Sequence, residues 1–283
     1  MMESVQHGDL AFPFQYYYED IWDFDFHCVD WHWHPELEYV YVHSGHAICF
    51  TGGKRMVIPA GNALLINSKV IHRFEANSST IIPNVVYSPF LLASEGSLIY
   101  RKYIYPFLAN GPDSILLDAS VPWQNTCIQY MMKVFQLQGS HTTDEIRIIL
   151  NLLEFWNELS QHWSSVKKTE ESAPGRANQA RLQIMMQFIQ EHYRENIRLE
   201  DIAEAVHIGK STALQIFHQG IKLSPVAYLI HYRLKQAAIL LTSTEKKIAV
   251  IAEETGFESS AYFCRKFKAL YCTTPKEYRN QTK

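Results

Sequence analysis

Ile251-Ala252-Glu253-Glu254-Thr255-Gly256-Phe257, then Phe263-Cys264-Arg265-Lys266-Phe267-Lys268, then Thr274-Pro275-Lys276-Glu277-Tyr278-Arg279 form the stretch whose reading decides the fold. The stretch is the second copy of a pattern. Ala213, Gln215, Phe217, Pro225 and Tyr228 recur fifty positions later as Phe263, Arg265, Phe267, Pro275 and Tyr278. Ile202-Ala203 recurs at forty-nine as Ile251-Ala252, so the copies differ by one residue in the turn between two helices. A repeat of this length is one supersecondary unit used twice.

Within the first copy, Leu199 to Val206 has the apolar spacing of a short amphipathic helix, His207-Ile208-Gly209 reads as a turn, and Lys210 to Gln219 as the next helix. A small Ala203 suits a close helix crossing, with Ile208 and Phe217 filling the space between the helices. This is helix-turn-helix spacing, in which the second helix is offered to a major groove. The second copy repeats it with Ile248 to Glu254, the turn Thr255-Gly256-Phe257, and Ser259 to Leu270. Gly256 fits a helix C-cap of positive φ, which costs glycine little. On the second helix of this copy, Ser259, Ser260, Tyr262, Arg265, Lys266 and Lys268 are mostly donors suited to phosphates and base edges. Lys210, Ser211, Thr212, Gln215 and His218 repeat that face less forcefully. Solvation explains any one of these residues; two such faces at a repeat point to DNA.

The quoted motifs resemble the signature of AraC/XylS-type bacterial transcription regulators, over about 100 residues. The resemblance implies two helix-turn-helix units joined by a long helix, here Pro225 to Leu241, each placing its second helix in successive major grooves. It also implies double-stranded DNA and RNA polymerase as partners. This chain departs from the pattern at Gln215, where arginine is common, and at Lys222 and Cys272, which stand where glycine is usual.

Composition agrees. The 283 residues are 47% hydrophobic, enough to build cores and to exclude bulk disorder, and the length suits two domains. The net charge of −3 is unevenly spread. Residues 1–175 carry 10 Lys+Arg against 19 Asp+Glu, a net of −9, whereas residues 176–283 carry 16 against 10, a net of +6. The basic back half is the one suited to a polyanion. Five cysteines without a Cys-x-x-Cys spacing read as free thiols of a reducing compartment. Met1 to Phe14 lacks the apolar core of a signal peptide, and no apolar run is long enough to span a membrane, so a cytoplasmic protein with no membrane partner is expected.

The front half, from about Asp9 to Tyr87, has short β-branched and aromatic runs broken by turn residues. Glu38 to Val42, Ala47 to Phe50, Met56 to Ile58 and Ala63 to Asn67 are separated by Ser44-Gly45, Gly52-Gly53 and Pro59-Ala60-Gly61, the spacing of a small sandwich or barrel. His32-Trp33-His34-Pro35-Glu36-Leu37-Glu38, six residues before Gly45, is similar to the first cupin motif; Gly53 with Pro59-Ala60-Gly61 resembles the start of the second. Cupin barrels are the usual sensor half of AraC-type regulators, so the two resemblances agree. In metal-binding cupins two histidines and a glutamate of the first motif join a histidine of the second. Here His32, His34 and Glu38 match, the fourth position holds Leu64, and His72 of the next strand is the candidate replacement. Imidazole and carboxylate suit zinc, nickel, iron or manganese. The other readings of these residues are pocket lining and strand structure. Aromatic side chains with a few polar groups hold sugars, and Trp33 and Tyr39 are the candidates among the aromatic residues of this region.

After Pro122 the period becomes helical, over Trp123 to Gln138 and Thr143 to Trp163, with Thr142, Thr143 and Glu145 as a cap region. The second helix carries Ile146, Ile149, Leu150, Leu152, Leu153, Phe155, Trp156 and Leu159, which suits packing against the sheet, a subunit interface, or both. Ser164 to Asn178, polar and containing Pro174-Gly175, reads as a linker.

The expected fold is therefore α+β. A cupin-like sensor barrel (1–122) is followed by a helical dimerisation segment (123–163), a linker (164–178) and an all-α double helix-turn-helix domain (179–283). The expected function is a sequence-specific DNA-binding transcription regulator, a homodimer that senses a small molecule, a sugar being favoured. His32, Trp33, His34, Glu38, Tyr39 and His72 are the candidate ligand-binding residues. No catalysis and no cofactor are expected, with a metal on His32, His34, Glu38 and His72 as the exception. The alternatives are a metal-dependent cupin enzyme with a helical appendage and a regulator that needs no effector.

Overall fold

The computed structural model describes residues 7–138, 145–165 and 173–281. The chain forms two compact units that divide between Gly175 and Arg176, the point at which the charge changes sign.

The first unit holds strands β1 (Phe14–Asp20), β2 (Cys28–His32), β3 (Leu37–Tyr41), β4 (His46–Thr51), β5 (Lys54–Pro59), β6 (Ala63–Ile66), β7 (His72–Glu75), β8 (Ile81–Tyr87) and β9 (Ser114–Leu117). They make two antiparallel sheets, ordered β1-β8-β3-β6-β9 and β2-β7-β4-β5. Turns between strands use glycine where φ is positive, as at Gly45 (79°), whose added Cβ would stand 2.4 Å from the Thr80 hydroxyl.

The larger sheet is buried on both faces, and period-two alternation sorts its side chains between two cores. Val40, Leu64, Ile66 and Ile82 face the smaller sheet, where they meet Ala47, Cys49, Ile58 and Phe74. Leu37, Tyr39, Leu65, Val85 and Tyr87 face the other way, under the helices that follow: α1 (Tyr105–Asn110), α2 (Pro122–Leu137) and α3 (Glu145–His162). Trp156 of α3 donates its indole N–H to the Tyr87 hydroxyl at 3.1 Å beneath this cover. Most of the apolar excess of α3 is thereby explained, since Ile148, Leu152, Phe155, Trp156 and Leu159 are buried on the sheet. What is left over is Ile146, 73% exposed, and Leu150, 55% exposed, one turn apart. The expected cap residues Thr142 and Thr143 lie outside the described residues.

The second unit is helical: α4 (Ala173–His192), α5 (Leu199–Glu204), α6 (Lys210–Ile221), α7 (Pro225–Ser243), α8 (Ile248–Glu254), α9 (Ser260–Tyr271) and α10 (Pro275–Gln281). The expected linker is shorter than its composition indicated, because α4 begins at Ala173 and takes in residues 173–178. Pro174 falls in the first turn, where a missing N–H leaves no helical hydrogen bond unmade. The joining helix runs two residues beyond its expected end, to Ser243.

The repeat is visible in the packing. Ile202, Ala203, Ala213, Ile216 and Phe217 are buried in the first copy; Ile251, Ala252, Phe257, Phe263 and Phe267 are buried in the second against Leu234, Ala237, Ala238 and Leu241 of α7. Each copy ends on a left-handed residue, Lys222 (φ 60°) and Cys272 (φ 57°), the positions where glycine is usual. Pro225 and Pro275 then open the next helix, N-capped by Ser224, which accepts from the Ala227 N–H at 3.1 Å, and by Thr274, which accepts from the Glu277 N–H at 3.3 Å. Gly256 has φ +84°, and a Cβ there would stand 2.6 Å from the Tyr193 carbonyl oxygen.

Two arginines close the units in a way the repeat did not announce. Arg233 of α7 donates from Nε to the Tyr193 carbonyl and from Nη2 to the Glu195 carbonyl, both at 2.6 Å, just beyond the end of α4. Arg279 of α10 donates to the carbonyls of Leu241 (3.2 Å) and Lys246 (2.7 Å), around the end of α7. Each arginine satisfies carbonyls that a helix terminus leaves without partners.

Candidate functional site

Two features stand out, one in each unit. In the helical unit, α6 and α9 bury one face and expose the other. Lys210, Ser211, Thr212, Gln215 and His218 are exposed on α6; Ser260, Arg265 and Lys268 are exposed on α9, with Tyr262 and Lys266 half-buried. The burial of Ala213, Ile216 and Phe217, and of Phe263 and Phe267, sets which way these faces point.

The tertiary contacts sort the expected residues. Ser259 is committed to the backbone: its hydroxyl accepts from the Tyr262 N–H at 3.3 Å as the N-cap of α9, which corrects its reading as a donor for DNA. Lys210 is paired with Glu200 of α5 at 2.6 Å, and that hydrogen bond lowers the Glu200 carboxyl below its ordinary value. Tyr262 packs on Phe257 at 6.2 Å between ring centroids, and its own ring lies 5.3 Å from the Arg265 guanidinium and 5.6 Å from the Lys266 ammonium. Tyr262 is therefore a platform that orients the two cations. Arg265, Ser260 and Lys268 remain as outward-facing donors of the second copy, and Ser211, Thr212, Gln215 and His218 as those of the first.

In the barrel, His32, His34, Glu38 and His72 converge: one ligand atom from each lies within 4.8 Å of the other three. Glu38 Oε2 is 2.8 Å from His72 Nε2 and 3.3 Å from His34 Nε2. His34 Nδ1 is 3.6 Å from the Glu36 carboxylate, His32 Nδ1 bonds the Asp30 carbonyl at 2.7 Å, and His72 Nδ1 bonds the Val70 carbonyl at 2.9 Å. A carbonyl only accepts, so both of those Nδ1 atoms carry the proton. Burial alone would raise the Glu38 carboxyl; the charge and hydrogen bonds of His72 and His34 outweigh it and hold it well below the usual carboxylate range.

The replacement of Leu64 works through sheet topology. Leu64 is fully buried in the core between the sheets, and His72 enters the cluster from β7, which pairs with β2 so that His72 faces His32 with ring centroids 4.0 Å apart. The cluster borders a cavity of about 90 Å³ lined by His7, Tyr17, His32, His34, Glu38 and Asn84 among others.

Two expected ligand-binding residues do not join it. Tyr39 follows Glu38 on β3 and so points to the opposite face, where it is fully buried against Phe135 and Phe155 under the helices. Trp33, between His32 and His34, is buried at 6% exposure and does not line the cavity. The same alternation that unites the histidines turns both aromatic residues away. His7 was missed. It comes from before β1, bonds the Tyr17 hydroxyl through Nδ1 at 2.8 Å, and packs its ring 5.2 Å from that of His34. Nothing local in the sequence around His7 signals this, because a segment with no strand pattern is brought to the site by tertiary folding.

Against known proteins, the helix-turn-helix domain model matches residues 202–281 and the cupin domain model matches residues 28–86. The chain belongs to the AraC family. It is a DNA-binding transcription regulator with a cupin domain. The HTH-type transcriptional regulator YdeC of Bacillus subtilis is similar at 25% identity, over 99% of this chain and 96% of its own. The HTH-type transcriptional activator RhaR of Mannheimia succiniciproducens is 26% identical over 88% of this chain and 87% of its own. The melibiose operon regulatory protein of Escherichia coli is 30% identical over 48% of this chain and 45% of its own. Among the described residues of this AraC-family regulator, no helix is long and apolar enough to cross a membrane.

Proposed function

We propose that this regulator reads a specific DNA site with the exposed faces of α6 and α9, and that a small molecule entering the barrel cavity alters the reading. The observation that carries the proposal is the pair of outward donor faces, repeated fifty residues apart on a unit of net charge +6. Arg265 is the base-edge candidate, since its guanidinium is exposed and oriented by Tyr262. Lys268 and Lys210 suit phosphates. The first copy carries Gln215 in place of arginine, which suits an adenine edge and gives the two half-sites different sequences. RNA polymerase is the further partner of the bound complex.

A ligand changes DNA binding only through a difference in its affinity for the DNA-binding and non-binding states. The buried His-Glu cluster is where such an affinity can arise, because polar groups out of water bind strongly to what satisfies them. Ile146 and Leu150, exposed one turn apart on α3, are the contact proposed for a homodimer. The relatives named above are regulators, which favours a non-enzymatic role for the barrel. A sugar is the second reading of the effector, favoured by the melibiose operon regulatory protein among the relatives.

The test is selection of bound duplexes from random DNA, followed by binding measurements on Arg265→Ala. The substitution is expected to cost roughly 1–3 kcal/mol and to relax preference at one base position. Affinity should also fall steeply with salt. No selected sequence, or an Arg265→Ala variant of unchanged affinity and specificity, refutes the assignment of α9.

A further inference from the structure

We infer that the effector of this regulator is a divalent transition-metal ion, bound in the barrel by His32, His34, Glu38 and His72. The inference rests on the reading of this cavity as the effector site, and it names the ligand.

The first ground is size. Pockets that hold drug-sized organic ligands enclose roughly 300–1,000 Å³. The cavity here is about 90 Å³, too small for a sugar with its shell of polar partners. The second is the donor set. Three imidazoles and one carboxylate, one ligand atom each within 4.8 Å of the others, suit zinc, nickel or iron in number and in type.

The third ground is the outer layer. His32 and His72 give their Nδ1–H to the carbonyls of Asp30 and Val70, at 2.7 and 2.9 Å, and His34 turns Nδ1 toward the Glu36 carboxylate. Each ring is thus held from its far side with Nε2 as the nitrogen left to carry the lone pair for an ion. Such carbonyl and carboxylate supports are what metal-bound histidines use to fix tautomer and orientation. A site evolved to hydrogen-bond an organic molecule would gain nothing from pinning three rings in the same sense. His7 and Tyr17 stand at the same cavity, on the other side of His34, so the ion would sit beneath a segment that precedes the first strand.

The test uses the full chain, stripped with a chelator and titrated with Co(II) alone, then Zn(II). Uptake of one Co(II) per chain, visible absorption bands of a nitrogen- and oxygen-bound cobalt, and a higher melting temperature are expected. Glu38→Gln, close to the native shape, and His72→Ala should each weaken uptake by about 100-fold or more, since even outer-layer changes cost metal sites 10–100-fold. His192→Ala, at an exposed histidine of α4, should leave uptake unchanged. The ion should shift affinity for the selected DNA in the wild type and not in Glu38→Gln. Uptake below one ion per chain, or uptake that both barrel substitutions leave intact, overturns the site. Full uptake with DNA affinity unmoved, while a metabolite does move it, overturns the metal as effector and leaves the proposed function standing. If neither metals nor a metabolite panel change melting or DNA affinity, the reading of the cavity as an effector site falls with the inference.

Discussion

Replacing Gly256 by alanine tests how the second helix-turn-helix is locked to the rest of its unit. The residue has φ +84°, where an L side chain costs roughly 1–2 kcal/mol. The new methyl would also stand 2.6 Å from the Tyr193 carbonyl oxygen and 2.9 Å from Arg233 Nε, distances that require something to move. What can move is Arg233, and moving it disturbs the hydrogen bond it donates to that same carbonyl at 2.6 Å. A hydrogen bond from a charged donor is worth about 1.5–3 kcal/mol. The two costs together give about 3–5 kcal/mol, a large share of the 5–15 kcal/mol that a domain typically has. In a unit of this size that corresponds to a fall of roughly 12 °C or more in Tm. Calorimetry of the full chain would follow the helical unit's transition, with Gly209→Ala as the control. Gly209 has φ −74° and nothing within 4 Å of an added Cβ, so that change should cost under about 1 kcal/mol as an N-cap effect. Equal losses in the two variants would refute the role assigned to the Gly256 turn.

Three further outcomes follow from particular residues. Lys222→Gly should stabilise the helical unit by about 1 kcal/mol, because Lys222 occupies a left-handed position (φ 60°) that glycine adopts freely; urea unfolding with no gain contradicts this. Leu150→Glu should shift the chain from dimer to monomer in sedimentation without lowering Tm, since Leu150 is exposed and outside the sheet-facing core; an unchanged mass removes α3 from the interface. Burial pushes the Cys127 thiol up to about 12 from an ordinary value of 9.0, with the Glu158 charge adding to the rise. The folded state therefore keeps a proton that the unfolded chain releases, so stability is whole below pH 9.0 and declines as pH rises from there toward about 12. Cys127→Ala should soften that alkaline decline, and an identical slope would assign it to other groups.

The fold was legible because its signals are local and periodic. The fifty-residue recurrence, the prolines opening α7 and α10, and the glycine of the Thr255-Gly256-Phe257 turn all act over a few residues, so a linear reading finds them. The short strands and the His32-Trp33-His34…Glu38 spacing were equally plain, and alternation alone brings His32, His34 and Glu38 toward one space while sending Trp33 and Tyr39 elsewhere. That alternation was available in the sequence; the burial of the larger sheet on both faces was not, and it was this second core that claimed Tyr39. Composition misplaced the start of α4, because a polar segment reads as linker whether or not its backbone can continue into a helix.

Sequence by itself determined the two units, the repeated helices and most of the donors on their faces, since propensity, capping and hydrophobic period are properties of neighbouring residues. Only the tertiary structure decided that His72 replaces the ligand position lost at Leu64, that His7 reaches the same cavity, that Ser259 caps α9, and that Arg233 and Arg279 close helix ends some forty residues away in sequence. Those pairings depend on sheet register, on the choice of buried face and on long-range chain return, and no local pattern encodes any of the three.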